Sequence, residues 1–110
     1  MARLTSDMWV SAYLMRLRAE AIPAFLVCKG DATAGAVMVK LALMTGQAEL
    51  WAQRFDFITE THAWAQIQTG DEAQIDALIT RERSRDPDLW VIEVEDPKGR
   101  TFLSDDGVSS

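Results

Sequence analysis

The chain has 110 residues, of which 48% are apolar and 25% charged, with a net charge of −6 and a pI near 4.6. These values exclude disorder of the whole chain and allow one domain with a core that needs no metal or disulfide. They also disfavour phosphate-rich partners, so we expect this chain to bind neither nucleic acid nor a membrane.

The first half of the chain predicts one helix and three strands. Apolar residues recur every three or four positions over residues 6–21, which predicts a helix that ends before Pro23. Trp9 lies off the apolar stripe of that helix. The predicted strands are residues 24–29, 36–44 and 47–54, and the Thr45-Gly46 turn makes the last two a hairpin.

The second half predicts a half-exposed strand, a helix and a final strand. Residues 61–68 alternate between polar and apolar, which is typical of a strand with one solvated face. The second helix follows Gly70 and ends before Pro87, and Asp71 and Gln74 have capping-box spacing at its start. The last predicted segments are a strand over residues 89–95 and a short return strand over residues 101–103.

Two predicted strands, residues 36–44 and 89–94, are apolar on both faces at their centres, so both faces need cover. We therefore predict an α/β domain of the α+β type. Its sheet is mixed, mostly antiparallel and has about five strands, with one helix on each face. Two helices on the same face are the alternative. The predicted core contains Val37, Val39, Leu41, Leu78, Trp90 and Ile92.

Cys28 is the only cysteine, so no internal disulfide or cysteine-based zinc site can form. A lone thiol is typical of a reducing compartment, and we expect a cytoplasmic protein without a signal peptide. No run approaches the ~20 apolar residues that span a membrane. We predict a single globular domain over residues 1–103 and a flexible acidic tail over residues 104–110.

A group of charged residues, called here the charged cluster, surrounds the end of the second helix and the last strand. Its members are Arg81, Glu82, Arg85, Asp86, Asp88 and Glu93. Carboxylates of this kind can hold Mg²⁺, and arginines can hold a phosphate, which would suit a metal-assisted phosphoester hydrolase using residues 81–95. Turn residues and a solvated helix end are the simpler interpretation, in which the cluster ties the helix to the strand.

Trp51 and Trp64 lie in strands with polar neighbours on the same faces. They are candidates for a groove or a dimer contact, since tryptophan suits surfaces that are partly apolar and partly wet. Packing under a helix is an equal alternative.

No catalytic residue, metal ligand set or cofactor is predicted. Cys28 and the only histidine, His62, lie in different strands, and the chain has neither a G-x-G-x-x-G nor a Walker A motif. We therefore expect a non-catalytic binding or accessory module, with a protein or a second copy of the chain as its partner. The metal-assisted hydrolase is the alternative function.

Several short motifs are similar to those of one bacterial family. They are Arg3-Leu4, W-V-S-A-Y-L from Trp9, K-G-D from Lys29, A-G-A-V from Ala34, Arg81-Glu82 and D-P-D-L-W-V-I-E-V-E-D from Asp86. In these motifs the chain resembles the family called domain of unknown function 1491. The resemblance implies a compact α/β domain of the bacterial cytoplasm and no particular activity. Its pattern includes Arg81, Glu82, Asp86, Asp88, Trp90 and Glu93.

Overall fold

A computed structural model describes residues 4–56, 58 and 61–103. The elements in chain order are α1 (Ser6–Ala19), β1 (Ala24–Cys28), β2 (Val37–Ala42), β3 (Gln47–Asp56), β4 (Thr61–Asp71), α2 (Glu72–Arg85) and β5 (Trp90–Glu95). This order confirms the predicted succession of two helices and five strands. Residues 101–103 form no return strand. The predicted acidic tail, residues 104–110, lies outside the described residues.

The five strands form one sheet in the order β1-β5-β2-β3-β4. Only β2 and β5 run parallel, and the other neighbouring pairs are antiparallel. The predicted mixed, mostly antiparallel sheet is therefore confirmed. β5 is the last strand of the chain, yet it inserts between β1 and β2. This central position explains why its first residues are apolar on both faces.

α1 covers one face of the sheet. Tyr13 and Leu17 are completely buried and pack on residues of β2 and β5, among them Val39 and Ile92. Trp9 was expected off the buried stripe, but only 8% of it is exposed. It stacks on Tyr13 with ring centroids 4.9 Å apart and on Trp64 at 5.2 Å. The buried face of α1 is wider than the stripe because large rings reach sideways over the sheet.

α2 covers the opposite face, as predicted. Its capping box joins the Asp71 side chain to the main chain of Gln74 and the Gln74 side chain to the main chain of Asp71. Ile75 and Ile79 are its buried residues, and they pack in a second cluster with Leu50 and others. Four of the six predicted core residues are buried. Val37 and Leu78 are partly buried against the two clusters.

α2 does not cover its whole face of the sheet. It lies mainly over β3 and β4, at one side of the five-stranded sheet. β1 lies at the opposite edge, where among the described residues only β5 pairs with it. β1 is therefore covered only in part on the α2 face, and a groove lies between the end of β1 and α2. None of the described helices has the length and apolar character needed to cross a membrane.

Candidate functional site

The groove between α2 and the β1–β5 edge has a volume of about 580 Å³. Its apolar wall is made by Val27, Cys28, Ile79 and Val91. Cys28 is a free, partly exposed thiol. The size and apolar lining fall within the range of ligand-binding pockets, which also contain a few converging polar groups.

The polar groups converge on Lys40, which projects from the centre of β2. Only 4% of its side chain is exposed. Its Nζ lies 2.8 Å from Asp76 Oδ1, 3.0 Å from Glu72 Oε1 and 3.5 Å from Glu93 Oε1. Desolvation lowers the pKa of Lys40, but hydrogen bonds to Asp76 and Glu72 and the charge of Glu93 outweigh it and raise the pKa above its ordinary value.

These four side chains, called here the Lys40 network, follow from the strand register and the helix period. Lys40 is aligned with Glu93 on the neighbouring parallel strand, so both side chains point to the α2 face. Glu72 and Asp76 are four residues apart and lie on the same side of α2. One buried ammonium faces three carboxylates, so the network carries a net charge of −2 when all groups are ionised. The three carboxylate side chains remain 36%, 59% and 26% exposed in the order Glu72, Asp76, Glu93.

Arg83 closes the other end of the groove. Its guanidinium donates to the main-chain oxygen of Pro87 from Nε at 3.3 Å and from Nη2 at 3.0 Å. Nη2 also donates to the main-chain oxygen of Lys29 at 3.3 Å. The helix end is thus connected to the end of β1 through carbonyl groups.

The charged cluster is divided by the structure. Arg85 pairs with Glu82 within α2 at 3.5 Å, and 70% of the arginine side chain is exposed. Asp86 accepts a hydrogen bond from the main-chain nitrogen of Asp88 at 3.1 Å. Arg81 is exposed on α2. These members of the cluster lie around the helix end and do not line the groove.

Glu93 is the one member of the charged cluster that lines the groove, where it pairs with Lys40. In the described part of the chain, no ion pair joins an arginine of the cluster to Asp86, Asp88 or Glu93. This groove therefore does not bring the arginines and the carboxylates of the cluster together. Over the same residues, no group of three or more histidine, cysteine, aspartate or glutamate side chains is arranged to hold a metal ion.

Trp51 and Trp64 are partly buried and pack against the α1 cluster. Trp51 donates from Nε1 to Glu49 Oε1 at 3.0 Å. The buried Nε1 of Trp64 has no hydrogen-bond partner in the described structure, while its ring stacks on Trp9. The structure therefore brings these tryptophans beneath α1. The side chain of His62 lies outside the described residues.

The sequence analysis missed Lys40, Glu72, Asp76 and Arg83 as members of a site. The available signal was a lysine in the middle of the apolar run A-V-M-V-K-L-A-L-M. A lysine at such a position needs a carboxylate partner, because a buried charge without one is very costly. The sequence did not show which of 17 acidic residues would supply it.

Three exposed apolar residues of β1 lie beside the groove. Phe25 is 52%, Leu26 44% and Val27 53% exposed. Phe25 is paired with Glu93, so it lies on the α2 face, and Leu26 lies on the α1 face opposite Ile92. A bulge between Leu26 and Cys28 interrupts the pairing of β1 with β5. The edge strand thus exposes apolar side chains on both faces of the sheet.

Comparisons with known proteins agree with this architecture. The model of a family described as "Protein of unknown function (DUF1491)" matches residues 4–104, and the chain therefore belongs to that family. No curated protein matches the chain.

Solved structures of similar proteins show the same fold. A crystal structure of a DUF1491 family protein from Caulobacter crescentus CB15 is 37% identical, with a TM-score of 0.80 over 91% of this chain and 92% of that one. An NMR structure of a DUF1491 family protein from the same organism gives 36% identity and 0.82 over 94% of each chain. A solution structure of a protein from A. tumefaciens gives 31% and 0.75 over 93% of each.

Proposed function

We propose that this protein is a non-catalytic binding module of the cytoplasm that takes an extended segment of a protein partner onto the free edge of β1. The observation that carries the proposal is the exposure of apolar side chains on both faces of an edge strand that borders an open groove. The partly exposed free thiol of Cys28 supports the cytoplasmic location, because reducing conditions keep such a thiol unpaired.

An edge strand has unpaired main-chain donors and acceptors, and an extended peptide can continue the sheet by pairing with them. An added strand places its side chains alternately on the two faces of the sheet. It would therefore cover Phe25 on one face and Leu26 on the other. A helix docked in the groove would cover only the α2 face, which is why we favour a strand.

The bulge at the end of β1 limits this pairing to a few residues. Ala24, Phe25 and Leu26 run without interruption in register with β5, and the register then shifts. Such a short contact gives one preferred register but little affinity from the main chain alone. Side chains that enter the neighbouring groove must supply the rest.

A second copy of this chain suits the edge less well than a partner with a different charge. The net charge of −6 opposes self-association, and β1 itself contributes no charged residue that could offset it. The contact through Trp51 and Trp64 also stays a prediction, but both side chains pack against the α1 cluster. β1 offers the larger exposed apolar surface.

Selection from a random peptide library tests the proposal. The selected peptides are titrated against the wild-type protein, the Phe25→Lys variant and a Met15→Lys control. Met15 is 65% exposed on α1, so its substitution adds the same charge away from β1. We expect Phe25→Lys to lose binding and Met15→Lys to keep it. Equal affinity for all three proteins, or no enrichment of any peptide, would contradict the proposal.

Peptide N-methylation tests the main-chain pairing directly. A strand directs alternate N–H groups to opposite edges, so two versions of a selected peptide are made, each methylated at one set of alternate residues. Only one version should lose binding, and loss in neither would rule out strand addition. Sedimentation of the protein alone tests whether a second copy of the chain occupies the edge of β1. A dimer that Phe25→Lys removes and Met15→Lys keeps would assign the edge to a second copy and overturn the peptide proposal.

A further inference from the structure

We propose that the segment bound by β1 carries an arginine, and that this arginine enters the groove over Phe25 and pairs with Glu93 and Asp76. The inference rests on the proposed strand addition and names the chemistry that selects the partner. Three features support it: the order of residues across the sheet, the unbalanced charge of the Lys40 network, and the half-exposed ring of Phe25 beside Glu93.

The strand register defines a row of side chains on the α2 face. Phe25, Glu93 and Lys40 are aligned on three neighbouring strands. A residue added beside Phe25 would extend this row by one strand, at a spacing of about 4.8 Å. Its Cα would then lie roughly 10 Å from that of Glu93. A long side chain that lies along the sheet can cover this distance, and a short one cannot.

The Lys40 network, with its net charge of −2, favours a cation beside Asp76 and Glu93. Lys40 is the only cation among three carboxylates, and just 4% of its side chain is exposed. Asp76 and Glu93 both line the groove and keep part of their surface accessible. Arg83 lies at the other end of the groove, where its guanidinium donates to main-chain carbonyls. A positive side chain of the partner would therefore offset the remaining negative charge.

Phe25 favours arginine over lysine in this position. Its side chain is half exposed and aligned with Glu93, which is one of the residues that line the groove. A guanidinium stacks on an aromatic ring and binds a carboxylate through two parallel hydrogen bonds. The apolar stem of the side chain would also cover part of the exposed ring.

A double-mutant cycle tests the inference with a selected peptide and its citrulline version, which is neutral but nearly the same in shape. The proteins are the wild type and Glu93→Gln, with Glu95→Gln as the matched control. Glu95 is two residues along the same strand and does not line the groove. We expect citrulline to weaken binding to the wild type and Glu95→Gln about tenfold, and to have little effect on Glu93→Gln.

Several outcomes would overturn the inference. It fails if the selected peptides share no arginine at a fixed position, or if citrulline weakens binding to all three proteins equally. Replacement of the arginine by lysine should cost several-fold, and unchanged affinity would reject stacking on Phe25. In each of these cases, if the selected peptides still lose binding to Phe25→Lys, strand addition holds and only the arginine site fails. The folding control is the citrulline peptide. If Glu93→Gln binds this peptide with an affinity close to that of the wild type, the variant is folded.

Discussion

The Lys40 network makes a quantitative prediction about stability. Lys40→Met removes the ammonium and leaves Glu72, Asp76 and Glu93 facing one another. Loss of one partner from a fully buried pair costs about 3–5 kcal/mol, and an exposed pair contributes about 0–1 kcal/mol. The three remaining carboxylates are 26–59% exposed, so water solvates them in part. We therefore expect the free energy of unfolding to fall by about 2 kcal/mol.

Urea unfolding followed by tryptophan fluorescence measures this loss. Lys98→Met is the control, because it removes an exposed lysine from a turn and should change stability by less than about 0.5 kcal/mol. Adding Asp76→Asn and Glu93→Gln to Lys40→Met should recover most of the loss, since Glu72 is then the only charge of the network that remains and no like charge of the network faces it. A loss below about 0.5 kcal/mol in Lys40→Met, or no recovery in the triple variant, would refute this reasoning.

Three further substitutions probe other parts of the fold, each by urea unfolding. Tyr13→Phe should cost about 1 kcal/mol, because the buried hydroxyl donates to a main-chain carbonyl at 2.7 Å; an unchanged midpoint would count against that bond. The hydrogen bond from Arg100 lowers the pKa of Asp96 to about 2. The wild type should therefore have a larger free energy of unfolding than Asp96→Asn above the ordinary pKa of 3.8, and this difference should shrink as the pH falls through about 2. A difference that does not change with pH would exclude this linkage. Gly30→Ala should lower the free energy of unfolding by about 3 kcal/mol, because its Cβ would lie 2.7 Å from Trp90 Cδ1 and closer still to a main-chain carbonyl. A loss under about 1 kcal/mol would show that the loop adjusts.

Local patterns in the sequence were sufficient to predict the elements and the two-sided cover of the sheet. The apolar run around Val39 and the run from Leu89 to Val94 required burial on both faces, and the structure places both strands inside the sheet. The position of β5 between β1 and β2 could not be read from such patterns. Strand order depends on which edges pair across long sequence separations, and periodicity carries no information about that.

The glycines of the K-G-D and A-G-A-V motifs, Gly30 and Gly35, have a structural role. Gly30 and Gly35 both lie against the main-chain carbonyl of Asp88, where a Cβ on either would clash. The same carbonyl accepts a hydrogen bond from the nitrogen of Asp31 at 3.0 Å, and Trp90 Nε1 donates to the oxygen of Asp31 at 2.8 Å. The loop before β2 is thus fastened to the start of β5. These motif residues of the family therefore have a packing role that the sequence alone did not reveal.

The candidate site was harder to predict than the fold because its charges come from distant parts of the chain. The charged cluster was predicted from closeness in sequence, and in the structure Glu93 pairs with Lys40 while Arg85 pairs with Glu82. Lys40 lies 36 residues from Asp76, and the hydrogen bond between them joins a central strand to a helix. Sequence proximity is therefore a poor guide here to which opposite charges meet.

The Lys40 network lies at the boundary between the covered and open parts of the α2 face, and its place there bears on function. Buried ion pairs can often be replaced by apolar residues without loss of stability. Packing alone therefore does not require a lysine at this point of β2. On α2, Ile75 is completely buried, while the side toward the groove carries Asp76 and Arg83 beside Ile79. A helix with these polar groups toward β1 covers the edge with few apolar contacts. The network thus marks where burial by α2 ends, and it places the partly exposed carboxylates of Asp76 and Glu93 beside an apolar strand, as recognition of a segment with both apolar and basic residues requires.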